Sequence, residues 1–334
     1  MIMDIATKSV PLLKIQGLSK QFHADSFWGK GIRVVDSIDM QVGSGEIRGI
    51  VGESGSGKTT LARCSIRLIE PTSGSIQFDG QDLESLGAAA LRAKRKEFQM
   101  IFQDPYASLN PEMTVKQILM EPFQVHKMGS ENDQNRRLGE LLEAVSLSES
   151  LLKRKPAELS GGQQQRVGIA RSLILKPRLV IADEPVSALD ASVQTQILNL
   201  LADIKKQYKL TLILISHSLN AVHYLCTHVS VMYKGRIIEE APAASFFKHP
   251  KHPYSRILLN STLSLDASRK NHSIPAGVDT SPSKNAGCAF YLYCPDRLLD
   301  CANRVPALSE ISAGEKVACF LYSQTSELQR QEIR

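Results

Sequence analysis

The most specific pattern in the chain is GESGSGKT, which runs from Gly52 to Thr59. It matches G-x-x-x-x-G-K-[ST], a loop in which glycines let the backbone curl around a phosphate while successive N–H groups point at the anion. The preceding segment, Glu46–Gly52, is short and apolar like a strand that enters a tight loop, and Lys58–Ile69 has helical spacing. The sequence therefore predicts a phosphate-binding loop between a strand and a helix.

The side chains of this loop indicate a nucleotide and a magnesium ion as ligands. Lys58 is expected to reach the β- and γ-phosphates, and the Thr59 hydroxyl is expected to ligate Mg²⁺. The first turn of the following helix adds N–H groups and a dipole that favours an anion. The predicted ATP-contacting residues of this segment are Gly52, Glu53, Ser54, Gly55, Ser56, Gly57, Lys58, Thr59 and Thr60.

A second motif, LVIADEP, supplies paired carboxylates. Four apolar residues lead to Asp183 and Glu184, so a buried strand would end by projecting both side chains into a site. Asp183 is expected to hold Mg²⁺, and Glu184 is placed to polarise a water for in-line attack on the γ-phosphate. The pair alone is a common surface feature, but together with the phosphate-binding loop it indicates nucleotide hydrolysis.

The composition of the 334-residue chain is that of a globular protein, with 43% hydrophobic and 22% charged residues. Its longest apolar runs, such as Leu210–Ile215, are far shorter than the roughly 18 residues that a membrane span requires. Asp4 lies where a secretory signal would carry positive charge, so we expect a cytoplasmic location. The net charge of +6 does not by itself distinguish a nucleic acid, a membrane surface or a nucleotide as partner.

Strand and helix patterns alternate along the chain, which predicts an α/β fold with a mainly parallel sheet and antiparallel β strands at its edge. The expected ATP-binding core comprises residues 1–104 and 177–241. Between them, residues 105–176 are mostly helical in pattern and are expected to form a helical subdomain. Residues 242–334 are expected to form a C-terminal, cysteine-rich extension that contains a polar linker at about 264–286.

A third motif is the string LSGGQ, which begins at Leu159. Taken with the phosphate-binding loop and VIADEP, it resembles the signature of the ATP-binding-cassette (ABC) family of P-loop NTPases. The resemblance implies that the signature reaches across a dimer interface to the γ-phosphate held by the partner's loop. The residues that would act in this way are Ser160, Gly161, Gly162 and Gln163, with Asp190 of the following SALD motif.

Other family elements occur in order. Gln103 resembles the glutamine that senses Mg²⁺ and the attacking water, and His217 resembles the histidine that contacts the γ-phosphate. Phe22 resembles the aromatic residue that stacks on adenine, although Phe27 and Trp28 are nearby candidates. One departure is Ser218, which follows His217 where the family usually has Asp, and we expect its effect to be small.

Two further stretches, IFQDPYASLNPEMTV and HPYSRILLNS, are similar to the oligopeptide/dipeptide importer ATPases, and the first resembles their F-type subunit. The resemblance implies peptide import with a second, different ABC ATPase, two integral membrane permeases and an extracytoplasmic binding protein, and no nucleic-acid partner. The chain would then lie on the cytoplasmic face of the inner membrane. Alternatives within the same architecture are import of nickel or another small solute, or a non-transport accessory ATPase.

Four cysteines, Cys288, Cys294, Cys301 and Cys319, are concentrated near the C-terminus. In a cytosolic chain such a group favours metal or redox chemistry over disulfides. The spacing lacks the C-x₂-C pair typical of zinc sites, and four thiolates suffice for a [4Fe–4S] cluster. The resemblance to the importer ATPases favours that cluster, with zinc or four unliganded cysteines as alternatives. The two remaining cysteines, Cys64 and Cys226, lie in apolar surroundings and are expected to be buried.

Overall fold

A computed structural model describes residues 10–22, 31–263 and 287–323 of the chain. The strands are β1 (Leu13–Phe22), β2 (Ile32–Val42), β3 (Ile47–Val51), β4 (Ser73–Phe78), β5 (Gln81–Asp82), β6 (Phe98–Ile101), β7 (Leu179–Asp183), β8 (Thr211–Ile215), β9 (His228–Tyr233), β10 (Arg236–Pro242), β11 (Ser309–Ser312) and β12 (Glu315–Val317). The helices are α1 (Lys58–Ser65), α2 (Ala88–Lys94), α3 (Pro105–Ser108), α4 (Val115–His126), α5 (Glu131–Ala144), α6 (Gly161–Leu173), α7 (Ala191–Tyr208), α8 (Leu219–Leu225), α9 (Ala243–Lys248) and α10 (Pro253–Leu263).

The chain divides into two compact units. The first unit comprises the chain up to Gln16, Asp39–Glu46 and Gly74–Ile213, and the second comprises Gly17–Ile38, Ile47–Ser73 and the chain from Leu214 onward. Within the described residues, no helix is both long and apolar enough to cross a membrane.

In the first unit, β6 and β7 pair in parallel, with Phe98 opposite Leu179. All five residues of β7 are buried, as a strand covered on both faces should be. Four helices, α3 to α6, occupy the chain between β6 and β7, and α6 contacts α3, α4 and α5. The helix α4 begins with a capping box in which Thr114 and Gln117 satisfy each other's backbone N–H groups.

In the second unit, neighbouring strands follow the order β11, β12, β10, β9 and β3. β3 and β9 are parallel, whereas β9 and β10 form an antiparallel hairpin that turns at Lys234 and Gly235, both with positive φ. β12 pairs with β10, with Val317 opposite Glu239, so the chain after residue 287 contributes two strands to this sheet. Parallel and antiparallel pairs therefore occur together, as the sequence predicts.

A buried ion pair links four strands of the second unit. Arg48 of β3 lies 3.3 Å from Glu240 of β10, and the two side chains are only 9% and 5% exposed. The other oxygen of the Glu240 carboxylate accepts a bond from Lys316 of β12, and Ser230 of β9 donates to the first oxygen at 3.0 Å. This group, the Arg48–Glu240 network, places a buried cluster of charged side chains within the sheet.

Most predicted elements are confirmed, including the β9–β10 hairpin and the short hairpin of β4 and β5. The helix that follows the phosphate-binding loop ends at Ser65 instead of Ile69, because Arg67 adopts a left-handed conformation with φ of 50°. Cys64 and Cys226 are buried, and burial raises the pKa of the Cys64 thiol to about 11. The predicted linker at 264–286 lies outside the described residues.

Candidate nucleotide-binding site

The phosphate-binding loop lies in the second unit and follows a fully buried strand. β3 leads into Gly52, whose φ is 151° and at which an added Cβ would lie 2.2 Å from the Met232 carbonyl oxygen. Gly57, at the other end of the loop, has a φ of 99°, and its Cβ would lie 2.5 Å from the Val34 oxygen. Any side chain at these positions would displace backbone, so both glycines are required for the shape of the loop.

Lys58 is held inside the curve of this loop. Lys58 is only 5% exposed. Its Nζ donates to the carbonyl oxygens of Gly52 at 2.8 Å and Glu53 at 2.7 Å. Lys58 is also the first residue of α1, so Thr59 and Thr60 lie in the first turn. An ammonium and a helix N-terminus at one place suit an anion, and the contacts of these residues with ATP stay a prediction.

Two other predicted residues of the second unit are accessible. Phe22 ends β1 with 41% of its surface exposed, and His217, which follows β8, is also exposed. The alternative adenine-stacking residues, Phe27 and Trp28, lie outside the described residues. The departure at Ser218 has a structural explanation: Ser218 is the N-cap of α8, and its hydroxyl accepts a bond from Ala221 N–H. Serine and aspartate are both good N-cap residues, so either satisfies this helix.

In the first unit, the structure brings Gln103 and Glu184 together. Gln103 Nε2 donates to Glu184 Oε2 at 3.1 Å, which joins the end of β6 to the end of β7. Asp183 is fully buried at the end of β7, and the next residue, Glu184, has φ of 47°. A non-glycine residue in this left-handed region is uncommon, and such strain tends to occur at functional sites.

The signature residues of the first unit form the start of α6. Ser160 is its exposed N-cap, and Ser160 and Gln163 form a capping box with distances of 3.3 and 3.0 Å. At Gly162, an added Cβ would lie 2.9 Å from Val193 Cγ1, so glycine permits close packing of α6 on α7. The N-terminus of α6 is therefore exposed and begins with two glycines, and such a surface suits an anion.

Asp190 has a structural role in the same region. It is the N-cap of α7, and its carboxylate accepts bonds from Val193 N–H at 3.0 Å and from Ser192 Oγ. The bond from the Val193 N–H and the one from Ser192 hold the pKa of Asp190 below its usual value. The predicted contact of Asp190 with ATP bound to a partner remains a prediction.

The four C-terminal cysteines line one pocket in the second unit, together with His252 and Phe290. Their thiols are not bonded as disulfides. Burial, with a smaller contribution from the neighbouring cysteines, raises the pKa of Cys294 to about 11 and that of Cys319 to about 12. Within residues 10–22, 31–263 and 287–323, however, no three or more His, Cys, Asp or Glu side chains form a group that could hold a metal ion.

The expectation of a [4Fe–4S] cluster is therefore not supported by this arrangement of side chains. The donor chemistry is suitable, because four thiols share one pocket, but the thiols do not form a metal-binding group as they stand. Sequence spacing shows which thiols are present and not how far the intervening turns separate them.

One contact to the phosphate-binding loop was missed by the sequence analysis. The hydroxyl of Tyr254, in the first turn of α10, accepts a bond from the Glu53 backbone N–H at 3.1 Å. In the sequence, the stretch HPYSRILLNS indicates only a family resemblance. The signal available was an aromatic residue with a polar tip, immediately after a proline that can begin a helix.

Comparison with known proteins places these observations in a family. The sequence model described as "ABC transporter" matches residues 35–187, and the model described as "Oligopeptide/dipeptide transporter, C-terminal region" matches residues 238–301. Among similar sequences, a Brucella ovis protein named as a peptide import ATP-binding protein is 44% identical over 312 residues, which cover 93% of this chain and 98% of that protein. The oligopeptide transport ATP-binding protein AppF of Bacillus subtilis is 42% identical, over 87% of this chain and 90% of its own length.

Solved structures give the same result. The ATP-binding cassette MJ0796, in a dimeric post-hydrolysis state bound to ADP and phosphate, has a TM-score of 0.63 and 27% identity, over 69% of this chain and 98% of its own. CbiO1 of Clostridium perfringens, part of an ABC transporter complex, has the same TM-score and identity over 78% of this chain and 97% of its own. The chain therefore belongs to the ABC transporter family, in which it is an ATPase with the C-terminal region of the oligopeptide/dipeptide transporters.

Proposed function

We propose that this ATPase energises the import of di- and oligopeptides. The observation that carries the proposal is the similarity to peptide import ATP-binding proteins, which extends over 93% of the chain at 44% identity. The similarity includes the C-terminal region, which matches the oligopeptide/dipeptide transporter model at residues 238–301. A chain that shared only the ATP-binding cassette would match many transporters of unrelated cargo, so the C-terminal match is what favours peptides.

The proposed mechanism assigns the roles implied by the family resemblance. Lys58 binds the phosphates, Glu184 orients and deprotonates the attacking water, and Gln103 holds the Glu184 carboxylate through the bond at 3.1 Å. His217 contacts the γ-phosphate, and Phe22 stacks on adenine. Thr59, Asp183 and Gln103 would ligate Mg²⁺, which neutralises charge on the phosphates. In a dimer, Ser160, Gly161, Gly162, Gln163 and Asp190 would contact the ATP bound by the partner.

The proposed partners follow from the same similarity. They are a second ABC ATPase, two integral membrane permeases and an extracytoplasmic binding protein, which would place this chain on the cytoplasmic face of the inner membrane. Affinity purification of the full chain from detergent-solubilised membranes should recover two integral membrane proteins in equal amounts. Recovery of the chain only in a complex without membrane proteins would contradict the transporter proposal and favour an accessory ATPase.

We also propose the domain division expected from the sequence. Residues 105–176 would be the helical subdomain, which is supported by helices α3 to α6 falling within that range. Residues 1–104 and 177–241 would form the ATP-binding core. Residues 242–334 would be the C-terminal extension, and the match to the oligopeptide/dipeptide transporter region begins close to its start, at residue 238.

Peptide import can be tested by uptake of a radiolabelled tripeptide in cells that depend on this chain. Lys58→Ala removes the ammonium that meets the phosphates, so we expect uptake to fall at least about tenfold. Lys206→Ala, which removes an exposed lysine of α7, is the matched control and should leave uptake unchanged. If Lys58→Ala abolishes ATP hydrolysis but leaves peptide uptake intact, peptide is not the cargo, and nickel uptake should be measured next.

The proposed ligand of the four cysteines remains a [4Fe–4S] cluster, on the ground that all four line one pocket. The full chain should be purified without oxygen and its iron, acid-labile sulfide and zinc measured. About four iron and four sulfide per chain, lost when Cys294 is replaced by Ser, would support the cluster. One zinc per chain, or no metal at all, would instead favour one of the two alternatives.

A further inference from the structure

We infer that Tyr254 is a positioning residue for ATP binding: its hydroxyl fixes the phosphate-binding loop by accepting the Glu53 N–H. The inference goes beyond the proposed function in giving the C-terminal region a direct part in the nucleotide site. It rests on the ATP-binding role of the loop but not on the identity of the cargo. All the residues involved belong to the second unit.

The contact is built on the part of the loop that holds Lys58. The Glu53 N–H donates to Tyr254 Oη at 3.1 Å, while the Glu53 carbonyl oxygen accepts bonds from Lys58 Nζ at 2.7 Å and from Ser56 N–H at 3.2 Å. The bond to Tyr254 therefore holds Glu53 from outside the loop, and Glu53 is also the residue that accepts the bonds from Lys58 and Ser56 within the loop. Fixing it limits the conformations of the loop before a phosphate arrives, and such preorganisation strengthens binding.

Tyr254 is itself held rigidly. Its surface is fully buried, and its ring lies 4.7 Å from the Tyr233 ring and 5.5 Å from the Phe290 ring, measured between centroids. Tyr233 ends β9, which pairs directly with β3, the strand that leads into the loop. The Tyr254 ring thus packs against the same sheet from which the loop begins.

The backbone before Tyr254 is fixed as well. The buried carboxylate of Glu239, on β10, accepts the N–H groups of Lys251 and His252 at 2.8 Å each. Tyr254 N–H donates to His252 Nδ1 at 3.0 Å. A carboxylate from the sheet therefore holds the segment that enters α10. This support leaves the hydroxyl little freedom to follow the loop if the loop moves.

The test is ATP affinity of the full chain carrying Tyr254→Phe, which removes one oxygen and keeps the ring. The control is Tyr233→Phe, because the Tyr233 hydroxyl is buried and has no hydrogen-bond partner among the described residues. We expect Tyr254→Phe to weaken ATP binding five- to tenfold, and to raise KM for ATP by a similar factor while kcat falls less than twofold. Tyr233→Phe should change affinity less than twofold. A purely structural role of Tyr254 would lower kcat or the active fraction and leave KM unchanged.

A local measurement keeps the inference testable if Tyr254→Phe folds poorly. In the wild-type chain, hydrogen exchange at the Glu53 amide should be slowed by the bond to Tyr254, and in folded Tyr254→Phe it should become faster. Wild-type ATP affinity in Tyr254→Phe, an equal loss in Tyr233→Phe, or an unprotected Glu53 amide in the wild type would each overturn the inference. A wild-type chain that bound no ATP would contradict the proposed function, and this inference with it.

Discussion

Replacing Glu184 with Gln is expected to slow ATP hydrolysis by about two to four orders of magnitude, the range that a positioned general base contributes. The amide cannot accept a proton from water, but it has nearly the shape of the carboxylate and can still accept the bond from Gln103 Nε2. The affinity for ATP should therefore change little. Phosphate release and equilibrium ATP binding, both measured on the assembled transporter, separate the two effects.

The matched control for this variant is Glu112→Gln. It makes the same chemical change in the first unit, at a carboxylate that is 84% exposed and forms a surface ion pair with Lys155. Its hydrolysis rate should equal that of the wild type. If Glu184→Gln hydrolysed ATP at the wild-type rate, Glu184 would not be the base. If it lost ATP binding instead, the carboxylate would be part of the binding site.

Arg48→Met is expected to have the largest effect on stability, lowering the free energy of unfolding by about 3 kcal/mol or more. The variant leaves the Glu240 carboxylate, whose side chain is 5% exposed, without its buried cation. Because Ser230 and Lys316 would still contact Glu240, we expect the loss of unfolding free energy to lie at the lower end of the range known for broken buried ion pairs. Urea unfolding followed by circular dichroism measures the change.

Two further variants test this explanation. Arg136→Met removes an arginine that is 66% exposed and pairs with Asp133 and Glu140 on the surface, so it should cost less than about 1 kcal/mol. Adding Glu240→Gln to Arg48→Met should restore part of the stability, because it removes the stranded charge. A loss of under 1 kcal/mol in Arg48→Met itself would show that the remaining contacts suffice for Glu240.

The parts of the site that sequence analysis could predict are those that depend on local pattern. Three such patterns each fit within about eight consecutive residues: the phosphate-binding loop, the Asp183–Glu184 pair and the Ser160 signature. In each of them, the residue types themselves indicate both the chemistry and the backbone conformation. The bond between Gln103 and Glu184 joins the ends of two adjacent strands. Family order indicated both residues, and parallel topology explains why they meet.

What sequence analysis could not predict depends on contacts between distant positions. Tyr254 and Glu53 are 201 residues apart, and nothing in HPYSRILLNS indicates which loop its hydroxyl meets. The left-handed backbone of Glu184, the residue after the buried strand β7, is not a preference of glutamate. The four C-terminal cysteines show the same limit of sequence analysis. Their number indicates ligand chemistry, but the distances between thiols are set by short turns and 3₁₀ segments whose packing no spacing rule gives.

The two strands that the chain adds after residue 287 also bear on how the protein can be truncated. β12 covers β10, in which Ile237, Ile238 and Ala241 are buried and Glu239 and Glu240 form backbone pairs with Val317 and Lys316. β11, the outermost of the two, is short and mostly polar, which suits a strand exposed to solvent. A fragment ending at Leu263 would leave the backbone groups of β10 that pair with β12 unpaired, as an open template for pairing between molecules. Such a fragment should aggregate even if its ATP site were intact.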